Sequence, residues 1–289
     1  MYLRLIHQTR YDYSAPVTLA PHAIYLRPRE TTRQRLHQFE LTITPGARRV
    51  ATTDPLDNAL DWAYFDPVEA VTSLEFKSEL LVETLDQNPF DFFLKRSAQN
   101  AHFIYDEAER AALAPCLALQ PDTIPGSLRH WLAQHLSAPP VETVAFLTAL
   151  NAAVNVALRY TRREEPGIQS PATTLALGHG SCRDYAVFLI ELCRLSGIAA
   201  RFVSGYLYEA PPPSGAPKMP PAMHAWAEVY LPGGGWRGLD PTRGIFCDHA
   251  FVAVAHAAAA ASINPIQGAF LGLADTTSQL STRLSIEQF

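Results

Sequence analysis

Apolar and polar positions alternate through roughly the first ninety residues. The runs Tyr2 to Tyr11, His37 to Thr44, Leu60 to Phe65 and Val71 to Thr84 each repeat with a period of two, the period of a sheet with one wet face. Pro16, Pro21, Pro28, Pro45, Pro55, Pro67 and Pro89, with the Asp57-Asn58 pair, interrupt these runs as turns do. Short strands spaced in this way predict a β-sandwich.

From about Ser97 the period lengthens. Leu128, Trp131, Leu132, His135 and Leu136 follow Pro125-Gly126-Ser127, and Val144, Leu147, Leu150, Val154 and Leu158 form one stripe. Both patterns predict amphipathic helices. The change of texture places a boundary between Asn88 and Ala98, giving a β-rich segment 1–95 and a mixed segment 96–289. Within the second, Gly178 and Gly180 permit a tight turn, after which Tyr185, Phe188, Leu189, Leu192 and Leu195 recur at helical spacing up to Gly197. Cys182 therefore falls in the first turn of a buried helix. Strands are predicted over Ala200 to Tyr208 and His224 to Leu231, separated by a loop with six prolines between Pro211 and Pro221. A third strand, Trp236 to Leu239, ends at Asp240-Pro241-Thr242. The alanine run Ala257 to Ala261 reads as helix, and no internal repeat interrupts the chain.

Composition narrows the function classes. The chain has 289 residues, 48% of them apolar and 10% aromatic, enough to fill a core without staples. A net charge of −5, with basic residues clustered no further than the pairs Arg48-Arg49 and Arg162-Arg163, argues against nucleic acid as a partner. The N-terminus lacks the apolar core of a signal peptide, and the run Ala250 to Ala261 falls short of the roughly 20 residues that cross a bilayer. No membrane partner and a cytoplasmic location are expected. Cys116, Cys182, Cys193 and Cys247 are far apart in sequence, neither a disulfide framework nor a zinc pattern. Free thiols fit a reducing compartment, and no metal or other cofactor is expected.

A thiol at a helix N-terminus gains from the positive end of the macrodipole and from unpaired N–H groups, which favour the thiolate and can hold an oxyanion. His224 opens a strand and Asp240 closes the next, so an antiparallel pair can bring the carboxylate back to the imidazole. That leaves the second ring nitrogen for a cysteine proton. Singly, each residue also has a structural reading: a small buried hydrophobe, a strand histidine, a turn aspartate.

Four blocks carry a family resemblance. Gly180 to Ala186 (GSCRDYA), Ala200 to Tyr206 (ARFVSGY), His224 to Tyr230 (HAWAEVY) and Gly235 to Thr242 (GWRGLDPT) resemble, in order and spacing, the signature of the bacterial transglutaminase-like family. His7 to Tyr13 with Pro16-Val17, and Leu26-Arg27-Pro28-Arg29, resemble the β-domain that accompanies this core. The resemblance implies an α+β fold, an N-terminal β-sandwich followed by a papain-like core. It gives Cys182, His224 and Asp240 the roles of nucleophile, base and orienting carboxylate. Tyr160 is a candidate second oxyanion donor by analogy. Trp226, on the same strand face as His224, either walls the cleft or packs the core. His179 is a rival base, and Arg183 and Asp184 read as capping or pairing groups. The proline-rich loop from Glu209 to Pro221 is a candidate lid. The family pattern is broken at Val254-Ala255-His256 and the alanines after it, where a charged segment is expected.

Enzymes of this kind attack an amide carbonyl and leave a thioester on the cysteine. The resemblance implies a protein or peptide substrate, with water as acceptor in a peptidase or amidase and a lysine amine in a cross-linking transamidase. Hydrolysis is the favoured reading. The reading from a different class is a non-catalytic protein-binding scaffold; a metal enzyme lacks local ligand spacing.

Overall fold

The computed structural model describes residues 1–85, 88–121, 123–163, 167–211 and 220–289. The N-terminal part comprises β1 (Tyr2–Leu19), β2 (His22–Ile24), β3 (Gln34–Thr44), β4 (Arg48–Thr53), β5 (Ala59–Tyr64) and β6 (Val71–Thr84). Alternation does what the sequence pattern requires: Leu3, Leu5, His7 and Thr9 of β1 are buried on one face, with Leu74, Phe76, Leu80 and Val82 of β6. Strand β6 pairs antiparallel with both β1 and β3, while β5 pairs with β2 and β4 in a second sheet. Ile24 and Ala63 of the smaller sheet meet Leu41, Leu74 and Phe76 of the larger, the two-layer packing of a sandwich.

The remainder contains α1 (Glu107–Leu117), α2 (Pro125–His135), α3 (Thr143–Ala157), the short strand β7 (Arg159–Tyr160), α4 (Pro171–Leu177), β8 (His179–Gly180) and α5 (Cys182–Leu195). Then come β9 (Ala200–Leu207), β10 (Met223–Leu231), β11 (Gly235–Asp240), β12 (Ile245–Phe246) and β13 (Phe251–Ala257), an antiparallel sheet in the order β12-β11-β10-β9-β13. Helix α5 lies against this sheet and is buried on nearly every side. The Trp131 ring of α2 meets Phe188 edge-on at 5.3 Å. Even the charged pair of α5 is internal: Arg194 Nη1 lies 2.8 Å from Glu191 Oε1, with both side chains fully buried. Glu191 also accepts from the Gln120 N–H and the Thr123 hydroxyl, and Arg194 donates to the carbonyls of Cys116, Ala200 and Ala258. A buried pair is tolerable when its remaining hydrogen-bonding capacity is filled in this manner.

The α+β architecture is the expected one, with two departures. The alanine run is not a helix: Ala257 closes β13, and a single 3₁₀ turn occupies Ala260–Ile263. Alanine's helical preference is a weak bias, overridden here because β13 is sandwiched between β9 and the N-terminal sheets. The side-chain amide of Gln34 donates to Ala253 O at 2.7 Å and accepts from Ala253 N at 2.9 Å; Asn58 does the same for His256, at 2.9 Å in both directions. Two amide side chains thus satisfy a sheet edge that would otherwise be left with buried, unpaired backbone groups.

The second departure is at the C-terminus. Strands β14 (Ile266–Gln267), β15 (Phe270–Leu271) and β16 (Ser278–Gln288) pair with β2 and β1 rather than with the α5 sheet. The sequence pattern assigns this stretch to segment 96–289, yet its strands complete the sheets of segment 1–95. Between the two parts, His7 Nδ1 lies 3.1 Å from the Tyr206 hydroxyl, and Arg33 donates to Trp236 O at 2.6 Å.

Candidate active site

Strands β10 and β11 pair with Ala227 opposite Leu239, so one step further along the ladder Asp240 stands beside Trp226 and diagonally from His224. Such diagonals are within reach of long side chains. His224 Nε2 lies 2.8 Å from Asp240 Oδ2. The other carboxylate oxygen, Oδ1, accepts from the Thr242 N–H at 2.9 Å and the Thr242 hydroxyl at 2.7 Å. Helix α3 fixes the backbone of the same turn: Asn151 Nδ2 donates to the carbonyls of Asp240 and Ile245, and Asn155 Nδ2 to those of Pro241 and Thr242. Sequence reasoning missed Thr242, Asn151 and Asn155. The spacing of the two asparagines, one helical turn apart on the face of α3 that meets the turn after β11, is the signal that was available.

Cys182 is nearly buried at the first position of α5. The turn before it is held by Asp184, whose Oδ2 accepts from both the N–H and the hydroxyl of Ser181 at 2.8 Å. A Cβ at residue 180 would come within 2.7 Å of Asp184 Cβ, so glycine is the residue that lets the chain pass this close to the capping carboxylate. Asp184 Oδ1 also accepts from Gln169 N at 2.7 Å, and the Arg163 guanidinium lies 3.1 Å from its Oδ2. The capping and pairing role expected of Asp184 is the one its geometry shows, and it ties the segment beyond β7 to the start of α5.

His224 faces the thiol. With Nε2 committed to Asp240, Nδ1 is the nitrogen left to interact with Cys182, which helps to raise the imidazole. Burial alone pulls the imidazole toward the neutral form. The hydrogen bonds to Asp240 and Cys182 and their charges outweigh it, raising His224 to about 10. Near neutrality the ring is thus held as imidazolium between the Asp240 carboxylate and the Cys182 sulfur. The other thiols are in different surroundings: burial pushes Cys193 up to about 12 and Cys247 well above the ordinary thiol range, and raises Cys116.

Trp226 is buried, its ring centroid 6.3 Å from that of His224 and 5.3 Å from Phe251. The indole lies across two glycines on the flanking strands. A Cβ at Gly205 would meet the ring at 2.6 Å, and one at Gly238 would approach Nε1 at 3.3 Å. Trp226 packs beneath His224 as part of the core. Tyr160, half exposed on β7, is placed by the pairing of β7 with β8. Its phenol is raised by burial first and then by the charge of Cys182. His179 lies on β8 with Nδ1 buried and without a hydrogen-bond partner, and among the described residues no carboxylate pairs with it. The candidate lid falls largely outside the described residues, which omit 212–219. Among the described residues no group of three or more His, Cys, Asp or Glu side chains is arranged to hold a metal ion, and no helix is long and apolar enough to cross a membrane.

A thiol on the first turn of a helix, backed by an antiparallel sheet that presents histidine and aspartate from neighbouring strands, defines a class. Residues 131–241 match the model of the transglutaminase-like superfamily, and residues 3–83 that of the bacterial transglutaminase-like N-terminal region. The protein belongs to the bacterial transglutaminase-like family. It is 30% identical over 286 residues to an uncharacterized protein of Mycobacterium tuberculosis, covering 92% of this chain and 86% of that one. An uncharacterized protein of Mycobacterium leprae is 23% identical over 270 residues, covering 93% of each chain. The fold is similar to the crystal structure of a candidate cysteine protease from Cytophaga hutchinsonii, with a TM-score of 0.73 and 18% identity, covering all of this chain and 91% of the other. The two family models together place the chain in the transglutaminase-like superfamily, and the solved structure shares its fold.

Proposed function

We propose that the protein hydrolyses an amide or peptide bond through Cys182, His224 and Asp240. The observation that carries the reading is His224, bonded to Asp240 Oδ2 at 2.8 Å and near enough to Cys182 for that residue to help raise the imidazole. In the reaction the Cys182 sulfur attacks the carbonyl carbon, and the carbonyl electron pair moves to an oxyanion at the first turn of α5, with the Tyr160 hydroxyl as second donor. As the tetrahedral intermediate collapses, the C–N bond breaks and the His224 imidazolium gives its proton to the leaving amine. A thioester remains on Cys182. The now neutral His224 takes a proton from water, hydroxide adds to the thioester, and release of the acid restores thiolate and imidazolium. Asp240 holds the ring in orientation throughout without itself taking the proton. Four free thiols fit a reducing compartment for this chemistry.

The test begins with labelling by iodoacetamide at about pH 6 to 7, where an ordinary thiol is mostly protonated. Adducts are located by peptide mass spectrometry in wild type, His224→Ala and Asp240→Ala. Selective alkylation of Cys182 that slows in both variants supports the assignment. Uniform slow labelling that neither substitution alters overturns it and leaves the scaffold reading. A screen of casein-derived peptides with and without a primary amine then separates water from amine as acceptor. Amine incorporation outrunning hydrolysis would make the protein a cross-linking transamidase.

A further inference from the structure

Strand β16 forms one edge of the larger N-terminal sheet. It pairs with β1 over the unbroken register Leu3 with Gln288 to Tyr13 with Ser278, and among the described residues nothing pairs with its other edge. Such edges are usually protected from other strands by bulges, prolines or charged side chains, lysine above all. Residues 278–288 have no bulge, proline or lysine, and Arg283 and Glu287 are the charges they carry. The two exposed charges of this strand, Arg283 and Glu287, lie on its solvent face. They make no ion pair among the described residues.

The backbone hydrogen bonds fix which groups point outward. Phe289 N donates to Tyr2 O at 3.2 Å, and Ser14 N donates to Thr277 O at 3.0 Å. Odd-numbered residues of this stretch therefore turn their N–H and C=O toward β1, and even-numbered residues from Ser278 to Gln288 turn theirs to the free edge. Side chains alternate with the same period. Leu284 and Ile286 lie opposite His7 and Leu5 on the core face, and Arg283 and Glu287 lie opposite Gln8 and Arg4 on the outer face.

We infer that β16 is the contact surface of a symmetric homodimer, in which the β16 strands of two copies pair antiparallel about a twofold axis at Ser285. This register follows from the sequence of the strand. With Ser285 opposite Ser285, Leu284 faces the second copy's Ile286 and Thr282 faces its Gln288. All four are even-numbered residues whose backbone groups already point outward, so each forms a hydrogen-bonded pair, and each pair occurs twice by symmetry. Arg283 faces the second copy's Glu287 in the closer, non-hydrogen-bonded kind of pair, where opposite charges across a ladder are favourable. A register centred one residue away, on Leu284, sets Arg283 against Ser285, and one centred two residues away, on Arg283, sets it against another Arg283. The larger sheets of two copies join into one. Strand pairing alone covers less than the ~1,600 Å² of a standard interface, so association is expected at micromolar concentrations.

Sedimentation velocity over roughly 1 to 100 μM, a span that brackets micromolar affinity, tests this on the full chain. Wild type is expected to pass from monomer to dimer. Arg283→Glu and Glu287→Arg each weaken the dimer at least tenfold, and the exchanged double variant R283E/E287R restores it. Circular dichroism of every variant matches wild type, because both side chains are exposed. A wild type that stays monomeric at the highest concentration overturns the inference and leaves this edge to water or to a foreign strand. So does a dimer that neither single exchange weakens, or one that the double exchange fails to restore. Cys182 alkylation is unaffected in all variants, so the outcome is independent of the proposed reaction.

Discussion

Thr242 grips the one carboxylate oxygen of Asp240 that His224 does not use. Its N–H and hydroxyl both donate to Oδ1, at 2.9 and 2.7 Å, while Oδ2 faces the imidazole at 2.8 Å. The carboxylate is fully buried and cannot rotate without leaving donors unpaired, so the direction of Oδ2 is set by a residue that never meets the thiol.

Thr242→Val keeps the shape and the backbone N–H but removes the hydroxyl donor. A hydrogen bond to a charged group contributes about 1.5–3 kcal/mol, so alkylation of Cys182 near pH 6.5 is expected to slow about tenfold or more, and its pH profile to shift as His224 loses part of its support. Thr242→Ser retains the hydroxyl and should retain both rate and profile. A valine variant that melts earlier while alkylating with the wild-type profile would show Thr242 to be merely structural.

His224 links the site to stability, with a definite sign. Despite its burial it is raised from 6.5 to about 10, chiefly by the hydrogen bond to Asp240. Below pH 6.5 folded and unfolded chains both carry the proton, and the pairing with Asp240 counts in full. As pH rises toward 10 the unfolded chain releases its proton while the folded chain keeps it, so the contribution is progressively lost. The gap in melting temperature between wild type and His224→Gln should therefore narrow from pH 6 to pH 10. A gap that stays constant over this range would place the folded and unfolded histidine at the same value.

His7 acts in the opposite direction. Buried between β1 and β9, with Nδ1 3.1 Å from the Tyr206 hydroxyl and Nε2 3.3 Å from the Thr9 hydroxyl, it is lowered by desolvation to about 4. Its neutral form contributes in full above pH 6.5. Between 6.5 and 4 the unfolded chain binds a proton that the folded chain does not, so stability falls as the solution is acidified. His256, also lowered to about 4 by burial and then by Arg201 and Arg29, adds to the same slope. Urea midpoints measured at pH 7 and pH 4.5 should differ less in His7→Gln than in wild type. An equal loss in both would remove His7 from the account.

These residues mark how far the sequence could be read. The placement of Cys182, His224 and Asp240 was legible because each sits at the end of an element whose period is local: the start of a helix, the start of one strand, the end of the next. The sandwich was legible because β1, β3, β5 and β6 alternate visibly. What escaped depends on partners distant in sequence. Nothing in Ser278 to Gln288 says that it pairs with Tyr2 to Tyr13, and its weak alternation reflects an edge strand mostly exposed on both faces. The alanines from residue 257 read as helix, but Ala257 ends a strand held at Ala253 and His256 by Gln34 and Asn58, some 200 residues earlier, and the run leads into a 3₁₀ turn. Thr242 is adjacent to the aspartate, but only the closed turn shows where its hydroxyl points.

The amide clamps on β13 also offer a direct test of why the N-terminal β-sandwich is fused to the core. Asn58 Nδ2 donates both to His256 O at 2.9 Å and to Asp54 Oδ2 at 2.8 Å, while its Oδ1 accepts from His256 N. Asn58→Asp is nearly isosteric but replaces a donor with an acceptor, setting a buried carboxylate oxygen against a carbonyl and a second carboxylate. Losing one buried hydrogen-bond partner leaves a penalty of about 1–3 kcal/mol, more where charge is involved, so Asn58→Asp should cost at least 3 kcal/mol in urea unfolding at pH 7. Protonation of the new carboxyl restores a donor, so the deficit should shrink on acidification, a direction a simple packing defect would not follow. Gln34→Glu should behave likewise at Ala253, because Gln34 Nε2 serves Ala253 O and Arg29 O together. Wild-type stability in both variants would mean that the edge of β13 is satisfied by water and that the sandwich holds the core through its apolar contacts alone.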